Sequence, residues 1–223
     1  MRYLTPTFAV LWLLTAAVAQ AQEKKVEAFT AAPPADLLSA EVAEVLSHDG
    51  VKVSQGEKLL AEFWFRKDIP AKAGFTPTAN VLYPFESGEL IGVVRFSSTR
   101  EDFRNQQFRR GVYTLRYGQQ PVDGNHVGTS DTLDFLLLLP AKKDKTVEKL
   151  TPNKMFNLSA EVSGSTHPAI LSMLAGTGDA KPPAVVHDAA RELWSLKVAL
   201  PIKAGDDAKT LPVEFVIEGH SPE

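Results

Sequence analysis

The nine residues Asp123-Gly124-Asn125-His126-Val127-Gly128-Thr129-Ser130-Asp131 bring one imidazole, two carboxylates and an amide into a single stretch. Divalent metals accept imidazole and carboxylate together, so His126 with Asp131 or Asp123, completed by a distant His167 or His187, has the chemistry of a metal site. The same residue types also serve turns: Asp and Asn bond nearby backbone N–H groups, and glycine supplies positive φ. The turn is the preferred reading, with a divalent metal as the alternative. His167, in Ser165-Thr166-His167-Pro168, reads first as part of a tight turn whose proline opens a strand. His187-Asp188 reads as a solvated hairpin turn.

A second constellation lies on strands. Glu62, Trp64 and Arg66 alternate along one apolar segment, Arg95 shares a face with Ile91 and Val93, and Arg116 shares one with Val112 and Thr114. If those faces adjoin, guanidinium groups beside an indole form a shallow surface able to bind a carboxylate or stack on a sugar. The competing reading is cross-strand charge pairing, for example Arg116 with Asp134, worth roughly 0.2–1 kcal/mol per pair. Pairing is preferred. Trp64, Arg66, Arg116, His126 and His167 are the candidate ligand-contacting residues, and no catalytic residue is assigned.

The motifs that would specify an enzyme are missing from the sequence. There is no G-x-S-x-G elbow, no H-E-x-x-H pair and no P-loop, and Gly176-Thr177-Gly178 meets Lys181 where a dinucleotide turn needs its third glycine. No spacing of acids defines a glycosidase pair. The chain has no cysteine, which excludes disulfides, thiolate zinc, iron–sulfur clusters and a Cys nucleophile. Its 24 Lys plus Arg against 27 Asp plus Glu give a net charge of −3, which offers nucleic acid no electrostatic attraction. A composition of 44% apolar and 23% charged residues over 223 positions is that of a globular protein with a sizeable core.

The elements that must position these residues begin with an address label. Arg2, an apolar run over Phe8–Val18 and Ala19-Gln20-Ala21 have the form of a secretory signal peptide over 1–21, cleaved after Ala21. No cysteine stands at the cleavage site to carry a lipid, and no later segment is apolar for long enough to span a membrane as a helix. The expected location is periplasmic or extracellular. Residues 22–35 read as a flexible lead, followed by one β-rich domain over 36–223.

Within that domain, Pro33-Pro34-Ala35-Asp36 with Leu37, Leu38, Val42, Val45 and Leu46 predicts a short helix. Period-two alternation predicts strands over 51–54 and 58–66, and further strand segments read over 89–97, 111–118, 132–139, 169–174, 184–187, 192–200 and 211–218. The run Thr132–Leu139 (TLDFLLLL) is apolar enough for burial on both faces. Thr151-Pro152 predicts a second helix to about Val162. Many short strands, Pro and Gly punctuation and one or two short helices predict a mainly β protein, an antiparallel β-sandwich of immunoglobulin-like or jelly-roll-like form.

The block GVYTLRYGQQPVDGNHVGTSDTLDFLLLLPA over 111–141, with the later Gly164-Ser165-Thr166-His167-Pro168-Ala169, resembles a family of uncharacterised exported bacterial β-rich proteins. That resemblance implies export and a β-rich domain and carries no activity. The expectation is a non-enzymatic exported binding or envelope-associated module without a cofactor, its partner an unidentified ligand or envelope protein. The alternative is a periplasmic metal-binding protein or metal-dependent enzyme using His126 and His167.

Overall fold

The computed structural model describes residues 23–120, 132–176 and 179–219. The strands are β1 (Lys24–Thr30), β2 (Leu46–Gln55), β3 (Lys58–Arg66), β4 (Ile69–Pro70), β5 (Leu90–Phe96), β6 (Arg100–Glu101), β7 (Gln107–Phe108), β8 (Gly111–Gln119), β9 (Asp134–Pro140), β10 (Ile170–Leu174), β11 (Ala184–Asp188), β12 (Leu193–Ala204) and β13 (Asp207–Glu218). The helices are α1 (Ala40–Val45) and α2 (Pro152–Ser163). The protein is mainly β and its long strands pair antiparallel. The segment Lys58–Arg66 and the N1 proline of α2 fall where the sequence pattern puts them.

The sandwich expectation needs correcting. Instead of two facing sheets, one continuous sheet runs β1-β2-β3-β5-β8-β9-β10-β13-β12-β11 and curls toward closure. Period-two patterning demands only that one face be buried. A single long twisted sheet buries that face by coiling on itself, which also protects its edges. Two features draw the ends together. Three residues after the end of β3, β4 pairs parallel with β12 on the far side of the sheet order, Ile69 opposite Ile202 and Pro70 opposite Lys203. At the other end of the seam, Lys24 Nζ bonds Glu218 Oε1 at 2.6 Å and lies 4.5 Å from the Trp194 ring centroid.

The barrel interior is filled by Phe63, Phe65, Phe96, Tyr117, Leu136, Leu196 and Phe215 among others. Phe63 and Phe215, from strands far apart in the sheet, meet across it at 5.6 Å between centroids. The loop after β4 adds Tyr83 and Phe85, the latter edge-on to Tyr117 at 5.5 Å. Each such side chain, fully buried, stabilises by roughly 1.5–3 kcal/mol. The outer face is covered locally: α1 lies over Trp64, Leu90 and Val93, and α2 lies over Phe135, Leu137 and Leu139. Strand β9 is therefore buried on both faces, as its apolar run requires.

Two local readings change. The lead over 22–35 is not free along its length, because Lys24–Thr30 form β1 and pair residue for residue with β2. The first helix starts later than Asp36. Ala35–Leu37 make a single 3₁₀ turn, and α1 begins after Ser39, whose Oγ accepts the Val42 N–H at 3.2 Å. No helix among the described residues is long and apolar enough to cross a membrane.

Candidate functional site

Arg116, a sequence candidate for ligand contact, has no exposed surface and spends every donor internally. Nε and Nη2 grip Asp144 Oδ2 and Oδ1, both at 2.8 Å. Nη1 donates to the carbonyls of Gly88 (2.9 Å) and Glu148 (2.8 Å), and Nη2 also donates to that of Thr146. The expectation of charge pairing holds, but the partner is Asp144, which also accepts the Thr114 hydroxyl at 2.5 Å. Asp134, the partner expected from sequence, faces the interior instead. It takes the Tyr117 hydroxyl and the Leu82 N–H, both at 2.5 Å, and burial pushes its carboxyl above the ordinary range. Asp144 was hidden in Lys142-Lys143-Asp144-Lys145, which reads as a charged surface loop.

Trp64 is corrected in the same way. Its ring is 1% exposed, Nε1 donates to the Ala31 carbonyl at 3.0 Å, and Phe29 packs edge-on at 5.3 Å. It anchors the β1–α1 connection to the sheet and offers no stacking surface. Arg95, on the adjoining strand, pairs with Glu62 through Nε at 2.6 Å.

Arg66 differs from both. As the last residue of β3 it sits at the barrel rim, its side chain 11% exposed. Nη1 donates to Glu89 Oε1 at 2.7 Å, while Asp68 lies 3.8 Å from Nη2 and is well exposed. Nε is buried without a hydrogen-bond partner among the described residues. Guanidinium carries five donors in a fork suited to planar oxyanions. Here the unspent ones a ligand can use are on the terminal nitrogens, above all Nη2 with only Asp68 at 3.8 Å among the described residues, since Nε is itself covered. Beside it opens a cavity of about 330 Å³ lined by Glu89, Glu86, Glu148 and Lys149, with Pro70 and Val147 at its walls. Burial raises the Glu89 carboxyl above its ordinary value, against the pull of Arg66 and Arg116. At the exposed edge Glu86 is held low by its bond to Lys149.

Arg66 also borders a second cavity, of about 320 Å³, at the mouth of the barrel. Ala28, Val51, Phe65 and Val198, which line it, belong to the inward-facing rows of β1, β2, β3 and β12. Pro182, Pro183 and Pro201 stand among the other lining residues, and Asp49 adds a carboxylate that accepts the Thr30 hydroxyl at 2.7 Å. Neither cavity was legible in the sequence, because each is made by segments far apart in the chain. Glu89 could have been noticed only as an acid at the start of an apolar strand.

The remaining candidates do not gather there. His126, Asp123 and Asp131 lie outside the described residues, as do Ala19 and Ala21 of the cleavage site. His167 is exposed, and its backbone makes the turn: its N–H bonds Ser165 Oγ at 3.0 Å and its carbonyl accepts Ser163 Oγ at 2.6 Å. His187 is not merely solvated, since its ring stacks on Trp194 at 4.2 Å. Among the described residues no group of three or more His, Cys, Asp or Glu side chains is placed to hold a metal. Compared with known proteins, the chain matches no family model, no curated protein and no solved structure.

Proposed function

We propose that this is an exported, non-enzymatic binding module that holds a small carboxylate-bearing ligand at Arg66. Export is supported by the signal-peptide form of residues 1–21. The binding role is carried by the contrast between two arginines of one sheet: Arg116 uses all five donors internally, whereas Arg66 makes a single hydrogen bond, to Glu89, among the described residues. A nearly buried guanidinium with unspent donors beside a cavity is a site for an oxyanion. Glu89 fixes one edge of the guanidinium, and the loosely held Asp68 leaves the other open to exchange. A contact of 3.8 Å from an exposed carboxylate offers little competition.

The test is a titration of acetate into the mature protein, followed through the Arg66 side-chain N–H resonances, beside an Arg66→Gln variant. Saturable shifts at Arg66, absent in the variant while its melt stays cooperative, are expected. Shifts that never saturate, or that persist in the variant, would overturn the reading.

A further inference from the structure

We infer that the ligand is amphipathic, a short-chain alkyl or aryl carboxylate whose head group docks on Arg66 and whose apolar tail enters the barrel mouth. This deepens the preceding reading and rests on it. Arg66 is the residue common to the polar cleft and the mouth cavity, so one guanidinium bounds both spaces.

The mouth is apolar for a structural reason. Ala28 and Val51 are cross-strand partners on the inward row that continues as Val26 and Val53 deeper in the barrel. Along that row Val53 is 1% exposed, yet Ala28 is exposed. The inward face therefore reaches water at this end instead of being covered. Strands β1 and β11, the two ends of the sheet, lie close to each other but form no ladder, so the seam here, between the Lys24–Glu218 contact and the β4–β12 pairing, is not sealed by backbone hydrogen bonds. Prolines on the rim carry no N–H, which leaves fewer polar groups to be desolvated by an apolar guest. Mouths of β-barrels are common ligand sites for this reason.

Charge and depth limit the class. Among the described residues, the charged ones lining the mouth are Arg66 and Asp49, the latter already bonded to Thr30, whereas Glu86, Glu89 and Glu148 line the cleft and not the mouth. A single carboxylate seated from the mouth side therefore pairs with Arg66, a second anionic group is repelled and a cationic tail gains nothing specific. Deeper in, the rings of Phe63 and Phe215 fill the barrel, so the tail stops at the mouth. A cavity of about 320 Å³ is near the lower end of small-molecule sites, which favours a short chain or a single ring.

The experiment is calorimetric titration of the mature protein with acetate, butanoate, hexanoate and octanoate, with 1-hexanol and hexylamine as head-group controls. Each added methylene is expected to tighten binding up to about fourfold, the fold-change equivalent of ~0.8 kcal/mol, until the mouth is full. Ala28→Phe, which fills the mouth from an exposed position, is expected to collapse the octanoate-to-acetate affinity ratio at least tenfold. Val51→Phe, at the cross-strand partner of Ala28 on the same inward row, carries the same arm if the first variant fails to melt cooperatively. Arg66-dependent binding with no gain from chain length would overturn the inference and leave the preceding reading standing. Binding of hexanol or hexylamine as tight as hexanoate would overturn it too, by removing the head-group role. No Arg66-dependent carboxylate binding at any length would remove both.

Discussion

Arg116 and Asp144 meet in a two-pronged ion pair, with Nε–Oδ2 and Nη2–Oδ1 both at 2.8 Å and neither side chain exposed. Because Arg116 also binds the carbonyls of Gly88, Thr146 and Glu148, this pair ties two loops to the middle of the sheet. Those loops carry Glu89, Glu148 and Lys149, which line the cleft beside Arg66. The buried pair thus builds the wall of the candidate site.

Removing either partner leaves an uncompensated buried charge, which costs about 3–5 kcal/mol. Arg116→Ala and Asp144→Ala are each expected to lower the unfolding free energy by that amount in urea titrations. The double variant should cost less than the sum of the two. A loss near zero for Arg116→Ala would show that the guanidinium is not confined as described.

Gly88 provides a backbone test of the same junction. Its φ of +90° suits glycine, and a Cβ there would stand 2.1 Å from the Leu150 carbonyl oxygen. Gly88→Ala combines strain with a backbone clash, so a cost of about 2 kcal/mol or more is expected, read as a fall in melting temperature. A neutral substitution would mean that the 86–89 loop is free to move.

Barrel closure should be acid-sensitive through Glu218. Burial raises its carboxyl, but hydrogen bonds from Lys24 and Arg100 outweigh that and hold it below the ordinary 4.5. A folded-state pKa below the unfolded one contributes stability above pH 4.5, which is lost as pH falls through the folded value. The stability difference between wild type and Glu218→Gln is therefore expected to be largest at neutral pH and to shrink below pH 4.5. A difference that is constant from pH 7 to 3 would remove the ion pair from the closure.

Asp134 should act with the opposite sign. Burial raises its carboxyl above the ordinary 3.8, against the bonds from Tyr117 and Leu82. Its contribution is full below pH 3.8 and is lost as pH rises through the folded value. Relative to Asp134→Asn, the wild type is expected to gain stability as pH falls toward 3.8. Parallel curves would contradict the burial.

Metal dependence separates the binding module from the metal-protein alternative. The melting temperature of protein purified without chelator is expected to be unchanged by EDTA. A stoichiometric metal whose removal lowers the melt would instead favour the metal-protein alternative built on His126 and His167.

The period-two patterns settle a good deal by themselves, because they reflect local sterics and the need to bury one face. Lys58–Arg66 is the strand that its alternation dictates, with Phe63 and Phe65 inward and Trp64 and Arg66 on the other row. The run DFLLLL is buried on both sides, as apolar residues at successive positions must be. Thr151-Pro152 opens α2 and Gly164, at φ 65°, ends it.

What decided the rest was contact between residues distant in the chain. Strand β1 alternates only weakly, and its place rests on pairing with β2 and on Lys24 meeting Glu218, 194 residues away. The choice of curled sheet over sandwich depends on β4 reaching β12, which strand patterning does not encode. Arg66 and Arg116 share residue type and strand setting, yet one is fully satisfied and the other is not. That difference is fixed by Asp144 arriving beside Arg116 from a loop 28 residues on, while the loop that brings Glu89 to Arg66 leaves an open cavity. A hydrogen-bond partner supplied through space leaves no mark on the spacing of the residues it satisfies.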